Sequence, residues 1–296
     1  MTILTGKGQA QLSLRRYTSW RVGGPTKYFY QPSNINDLRH FLHQLPLEEK
    51  VFFLGLGSNL LIRDGGYSGT VISTLSGMQV IEQKDSTLVR AEAGVSCAKL
   101  ARFCARSGLV GGEFWAGIPG TVGGALAMNA GCFGSETWEF VNAVETLARN
   151  GECQIRQPSE YQISYREVIA PQEECFIAGY FKLQPGSREE SLEKIHKLLE
   201  HRANTQPTGD HSCGSVFRNP PGDHAARLIE ACGLKGFLQG DAEISQKHAN
   251  FIINRGNAAA RDIEFLIEFA AESVKSTFGI ELVREVRIIG ESEVRV

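Results

Sequence analysis

Gly117-Ile118-Pro119-Gly120-Thr121-Val122-Gly123-Gly124-Ala125-Leu126-Ala127-Met128-Asn129-Ala130-Gly131 is the stretch whose reading decides the fold. It carries no charge, and Pro119 stiffens its first turn. Glycine costs roughly 0.5–1 kcal/mol relative to alanine inside a regular element, so this density is wasteful as ordinary helix. It is useful where the backbone must turn with φ > 0 or come close to another group. Two uses fit the residues. A row of N–H groups with no side chains in the way can hold phosphate oxygens, or the segment can be a tight crossover between packed elements.

Around this stretch lies a chain of 296 residues, long enough for two domains or one large one with a sizeable core. Its 31 basic and 33 acidic residues nearly cancel, which argues against a nucleic-acid footprint. With 32 glycines it exceeds the ~7% average usage, as a protein with many tight loops would. The first residues lack the basic start and apolar core of a signal peptide. The uncharged run from Phe114 to Ser135 is broken by Pro119 and glycines and holds Asn129, so it is a poor membrane span. These features predict a soluble, cytoplasmic protein with no membrane partner. Seven cysteines without a C-x-x-C pair give no disulfide or zinc framework, and no cluster has metal-ligand spacing. Cys97 and Cys104 share one face of a predicted helix and read as buried thiols.

A helix is predicted over Ser33–Leu45, capped by Ser33 or Asn34, with Ile35, Leu38, Phe41 and Leu42 inward. The apolar strand Val51–Leu54 runs into Gly55-Leu56-Gly57-Ser58-Asn59-Leu60-Leu61, a second place where backbone could wrap a phosphate, with Ser58 and Asn59 as side-chain donors. It lacks the third glycine of the dinucleotide fingerprint, so an ordinary Rossmann site is not indicated. Strands follow at Val71-Ile72 and Thr87–Ala93. Ser96 caps a helix to Ser107, closed by Gly108. Asn150-Gly151 turns a hairpin between Val141–Ala148 and Glu152–Arg156, and Cys175–Leu183 is another strand. The character changes near Gln184–Arg188. Beyond it come helices at Ser191–Arg202, Asp223–Cys232 and Arg261–Thr277, and strands at Ala249–Asn254 and Ile280–Ile289.

Four places carry side chains with chemical potential. Arg166 offers a planar fork for a carboxylate, and by itself reads first as a surface arginine paired with Glu167. Ser215 lies in Ser212–Pro220 as a positioned hydroxyl or part of a capped loop; no nucleophile elbow surrounds it. Glu285 reads as one of a solvated strand face. His248 reads as a packed, hydrogen-bonded core histidine.

Taken together, several stretches resemble the UDP-N-acetylenolpyruvoylglucosamine reductase family. They are Gly55–Leu61, Ala116–Ala125, Asn129–Gly131, Tyr165-Arg166, Gly214–Phe217 with Asn219-Pro220, and Glu285–Gly290, in family order from about Thr18 to Gly290. The resemblance implies an α+β protein with a PCMH/vanillyl-alcohol-oxidase-type FAD-binding region over 18–186, itself two subdomains, followed by a smaller substrate-binding domain over 189–296. It implies an NADPH-dependent flavoenzyme that reduces the enolpyruvyl group of UDP-N-acetylglucosamine enolpyruvate in peptidoglycan synthesis. By position it makes Arg166, Ser215 and Glu285 catalytic. Arg166 and Glu285 would stabilise an enolate-like intermediate, with Glu285 protonated because its pKa is raised, and Ser215 would deliver the proton. FAD would be held, non-covalently since no histidine stands at either loop, by Gly55, Gly57, Ser58, Asn59, Leu60, Gly117, Ile118, Pro119, Gly120, Thr121, Gly123, Gly124, Ala125, Asn129, Ala130 and Gly131. Tyr165, Arg218 and Asn219 would contact substrate. Arg218 stands where the family commonly has lysine, and Val168 where relatives often have a small residue. The chain lacks the extra tyrosine-bearing loop and so resembles the shorter subclass. Two other readings compete: an FAD oxidase or dehydrogenase of the same fold acting on another sugar or lactone, and a flavin- or nucleotide-binding module without turnover.

Overall fold

A computed structural model describes residues 4–293, so the last three residues of the region expected at 189–296 lie outside the described residues. The described chain forms two compact units, one of residues 4–9, 28–56 and 69–201, the other of 10–27, 57–68 and 202–293. Along the chain the later change of unit falls at His201–Arg202, while the composition shift lies at Gln184–Arg188.

In the first unit, helix α1 (Ile35–Gln44) starts where the sequence places it. The Asn34 side chain accepts from the Asp37 amide at 2.9 Å, satisfying one of the orphan donors at a helix start. Leu38, Phe41 and Leu42 are buried, and Phe41 stacks on Tyr30 with ring centroids 3.7 Å apart. Burial of each such side chain stabilises by about 1.5–3 kcal/mol. The strand Val51–Leu54 pairs in parallel with Thr70–Ser73. A five-stranded antiparallel sheet has the order Cys153–Arg156, Val141–Ala148, Glu174–Lys182, Leu88–Glu92, Ile81–Gln83. The hairpin between its first two strands turns at Gly151, with φ 84°, a left-handed position that suits glycine.

Helix α2 (Cys97–Arg106) is capped by Ser96 and ends before Gly108 at φ 69°. Its Cys97, Leu100, Ala101 and Cys104 face a core with Val89, Phe181 and Trp115, and burial pushes the Cys97 and Cys104 thiols up to about 12. Helix α3 (Val122–Ala127) occupies the middle of the glycine-rich stretch. Helix α4 (Arg188–Thr205) is longer than the predicted Ser191–Arg202.

In the second unit, helix α5 (Ala225–Ala231) and helix α6 (Ala260–Phe278) pack against a three-stranded sheet of Leu238–Gln239, Ala242–Ile244 and Ile252–Asn254. The start of α6 is capped from far along the chain: the Asp64 carboxylate accepts from the amides of Ala260 and Arg261 at 2.9 and 3.0 Å. Gly279, with φ 70°, ends α6. The predicted strand Ile280–Ile289 is shorter than expected. Only Arg287–Ile289 is strand, parallel to Leu60–Ile62, because residues 283–286 spend their backbone groups on another segment, described below. The strand expected at Ala249–Asn254 likewise shortens to Ile252–Asn254. No helix among the described residues is long and apolar enough to cross a membrane.

Candidate active site

The glycine-rich stretch serves close packing first. Thr121 caps α3, and its hydroxyl accepts from the Gly124 amide at 3.3 Å. The amides of Ile118, Gly120, Val122, Gly123 and Ala125 all donate to backbone carbonyls, those of Val122 and Gly123 to Val95 and Ala93 at 2.8 and 2.9 Å. The uninterrupted row of exposed N–H groups is therefore not what these residues form; the crossover reading describes their hydrogen bonds. The glycines are needed for lack of room. A Cβ on Gly123 would lie 2.9 Å from that of Ala93, and one on Gly117 would lie 2.5 Å from the Phe133 ring. Gly124 differs. It is exposed, and a Cβ there would meet nothing nearer than the Thr121 hydroxyl at 3.6 Å.

The Gly55–Leu60 loop shows the opposite pattern. Among the described residues, the amides of Gly55, Leu56, Gly57 and Ser58 donate to no protein acceptor. Gly57 has φ 65°, and a Cβ there would lie 2.1 Å from the Tyr17 carbonyl, so only glycine fits. The Asn59 side chain, expected as a donor to a phosphate, donates to the Glu285 carbonyl at 3.0 Å. A phosphate-bearing cofactor fits this loop: among the described residues, four successive amides lack a protein acceptor.

Arg166 is not the surface arginine paired with Glu167 that its neighbours in sequence suggest. It follows Tyr165 in the two-residue turn of a hairpin in which Ser164 pairs with Glu167, and it has φ 58°. Its guanidinium folds back onto the Asn129–Glu136 segment, donating to the Gly131 carbonyl at 2.6 Å and to the Glu136 carboxylate at 3.3 Å. The side chain is 13% exposed and lies over the Tyr165 ring at 4.7 Å.

In the second unit, Ser215 and Glu285 are brought together through backbone. The Glu285 amide donates to the Val216 carbonyl at 2.8 Å, and the Arg218 amide to the Val283 carbonyl at 2.9 Å. Glu285 therefore stands beside the serine loop rather than on a solvated strand face, and is half-buried. Gly214, at φ 74°, turns the chain just before Ser215. Asn250, buried, holds the loop from the other side: its carbonyl accepts from the Val216 amide, and its side chain both accepts from the Phe217 amide at 3.0 Å and donates to the Phe217 carbonyl at 2.8 Å. Asn219 is exposed, with its side-chain oxygen accepting from the Ala225 amide at the start of α5. His248 is packed edge-on against Phe251, but its Nδ1 is buried with no hydrogen-bond partner among the described residues, and burial lowers its pKa.

Residues 206–289 match the family model described as the C-terminal domain of UDP-N-acetylenolpyruvoylglucosamine reductase, and residues 26–155 match an FAD binding domain. The UDP-N-acetylenolpyruvoylglucosamine reductase of Legionella pneumophila (strain Corby) is 56% identical over 283 residues, covering 95% of this chain and 92% of its own. That of Coxiella burnetii (strain Dugway 5J108-111) is 53% identical, with 98% of both chains covered. The chain belongs to the UDP-N-acetylenolpyruvoylglucosamine reductase family.

The crystal structure of the family member from Thermus caldophilus superposes with a TM-score of 0.82 at 32% identity, covering 97% of this chain and 99% of that one. The α+β architecture is thus the family's, with an FAD binding domain preceding the C-terminal domain. Membership makes this chain an FAD-dependent oxidoreductase. Within the family frame, both glycine loops lie inside the FAD-domain match. Ser215, Arg218, Asn219 and Glu285 lie in the C-terminal match, and Tyr165-Arg166 between the two. Asn250 and Glu136 escaped the sequence reading. An amide that clamps a loop and a carboxylate that meets an arginine from thirty residues away leave no local pattern.

Proposed function

We propose that this protein reduces the enolpyruvyl group of UDP-N-acetylglucosamine enolpyruvate to the lactyl ether of UDP-N-acetylmuramate. Non-covalent FAD, reduced by NADPH, supplies the hydride for the terminal methylene carbon of the substrate. The near-full-length identity with the Legionella and Coxiella enzymes carries this reading. The pairing of the Ser215 loop with Glu285 supports it from the structure.

The residues divide the work. Arg166 holds fixed positive charge where the substrate carboxylate gains electron density. Glu285 assists only when protonated, since a second anion would repel the developing charge. Ser215 donates the proton to the carbon that bears the carboxylate. The amides of Gly55–Ser58 hold the cofactor's diphosphate, and Gly117–Ala125 with Asn129–Gly131 pack close against the cofactor. Tyr165, Arg218 and Asn219 contact substrate. In functional terms residues 18–186 serve FAD, lending Tyr165 and Arg166 to substrate, and 189–296 serve substrate. The setting is the cytoplasm, where the product feeds peptidoglycan synthesis and through it cell shape and division.

Anaerobic half-reactions test the proposal. The purified yellow protein should bleach with NADPH and recover its colour with the enolpyruvyl nucleotide. Protein that stays colourless with excess FAD, or bleached flavin indifferent to that substrate, would refute it.

A further inference from the structure

Of the five non-glycine residues with positive φ among the described residues, Asn129 (46°) and Arg166 (58°) belong to one hydrogen-bond network. Such conformations persist only where the surroundings over-determine them, and they gather at working sites. Asn129 is buried and fully used: its side-chain oxygen accepts from the Trp138 amide at 3.1 Å, and its nitrogen donates to the Ser164 carbonyl at 3.1 Å and to Glu136 Oε2 at 2.7 Å. The other oxygen of Glu136, Oε1, accepts from Arg166 Nη1 at 3.3 Å. Arg166 Nη1 also reaches the Asn129 carbonyl at 3.3 Å, and Nη2 the Gly131 carbonyl at 2.6 Å. The backbone of Glu136 is itself fixed, paired antiparallel with Gly131.

We propose that Glu136, aimed by Asn129, is a positioning residue for Arg166, a role that rests on the catalytic reading given above. The guanidinium ends a long flexible side chain, and the charge it offers is useful only where the substrate carboxylate will be. Acceptors on one short segment hold it: the Asn129 and Gly131 carbonyls set its plane, and the Glu136 carboxylate supplies charge that keeps the fork from turning away. Glu136 divides its two oxygens between two donors, so neither end can shift alone. The arginine is then already oriented when substrate arrives, and no reorganisation is needed as negative charge develops.

The test is anaerobic stopped-flow on the flavin-loaded full chain, comparing wild type with Glu136→Gln and Glu136→Asp. Glutamine keeps the volume but must present its NH₂ either to Asn129 Nδ2 or to Arg166 Nη1, donor against donor. Displacement of a positioned group by about 1 Å costs on the order of 10²-fold. Glu136→Gln should therefore slow reoxidation by the enolpyruvyl substrate by roughly 10–100-fold. Flavin content, the rate of reduction by NADPH and the half-saturating substrate concentration should stay within about threefold. Glu136→Asp, charged but one methylene short, should fall between. Reoxidation within threefold of wild type in Glu136→Gln overturns the proposal, as does an equal loss in both half-reactions for both variants, which would make Glu136 a support of the fold only. A wild-type enzyme that NADPH bleaches but the enolpyruvyl substrate cannot reoxidise would instead overturn the functional reading, and this one with it.

Discussion

Gly124→Ala offers a perturbation whose two effects have opposite signs. Gly124 is the third residue of α3 and is exposed, and a methyl there meets only the Thr121 hydroxyl, at the ordinary distance of 3.6 Å. With no clash, alanine in a helix should stabilise the flavin-free protein by about 0.4–1 kcal/mol, chiefly by narrowing the unfolded ensemble. For a chain of this size that is roughly 1–4 °C in melting temperature. If the open side of Gly124 lies against the cofactor, the same methyl occupies space the cofactor needs, and FAD affinity should fall at least tenfold, about 1.4 kcal/mol. Gly123→Ala is the control next door. Its methyl would lie 2.9 Å from the Ala93 Cβ and 3.2 Å from the Ala93 carbonyl, so overpacking of about 1–3 kcal/mol should destabilise the flavin-free protein. Thermal melts of the deflavinated variants and titration of each with FAD by flavin fluorescence separate the two. Undiminished FAD affinity in Gly124→Ala would refute the claim that this backbone is bare for the sake of a ligand.

Ser215→Ala should leave flavin reduction by NADPH near normal while reoxidation by the enolpyruvyl substrate drops by roughly 10²–10⁴-fold; unaltered reoxidation would remove Ser215 as the proton donor. Trichloroacetic acid should leave a colourless pellet and a yellow supernatant, since FAD is held without a covalent bond. Asp37 gives a pH signature. Burial alone would raise its carboxyl, but hydrogen bonds from the Thr5 and Ser33 amides and the Tyr30 hydroxyl, at 2.8–2.9 Å, hold it below the ordinary 3.8. A depressed carboxyl adds stability above its unfolded value and loses it as pH falls through the folded one. Asp37→Asn should thus lower stability at pH 7 by about 1–3 kcal/mol, and urea titrations should show the gap to wild type closing below pH 4.

Local signals in the chain were enough for several elements whose cause is local, though not for α3 or for the hairpin that carries Arg166. Asn34 and Ser96 cap the helices their positions predict, Asn150-Gly151 turns its hairpin, and Gly279 stops α6, because caps and tight turns depend on a few adjacent residues. The motif order, too, is linear information, and it sufficed for the family. Folding alone decided where unsatisfied backbone groups find partners. It gave the amides of Val122 and Gly123 to Val95 and Ala93, left those of Gly55–Ser58 without a protein acceptor among the described residues, and diverted residues 283–286 from a strand to the serine loop. It also met Arg166 with Glu136 instead of its sequence neighbour Glu167. Those outcomes depend on which distant segment arrives within 3 Å, and spacing along a chain carries no measure of that.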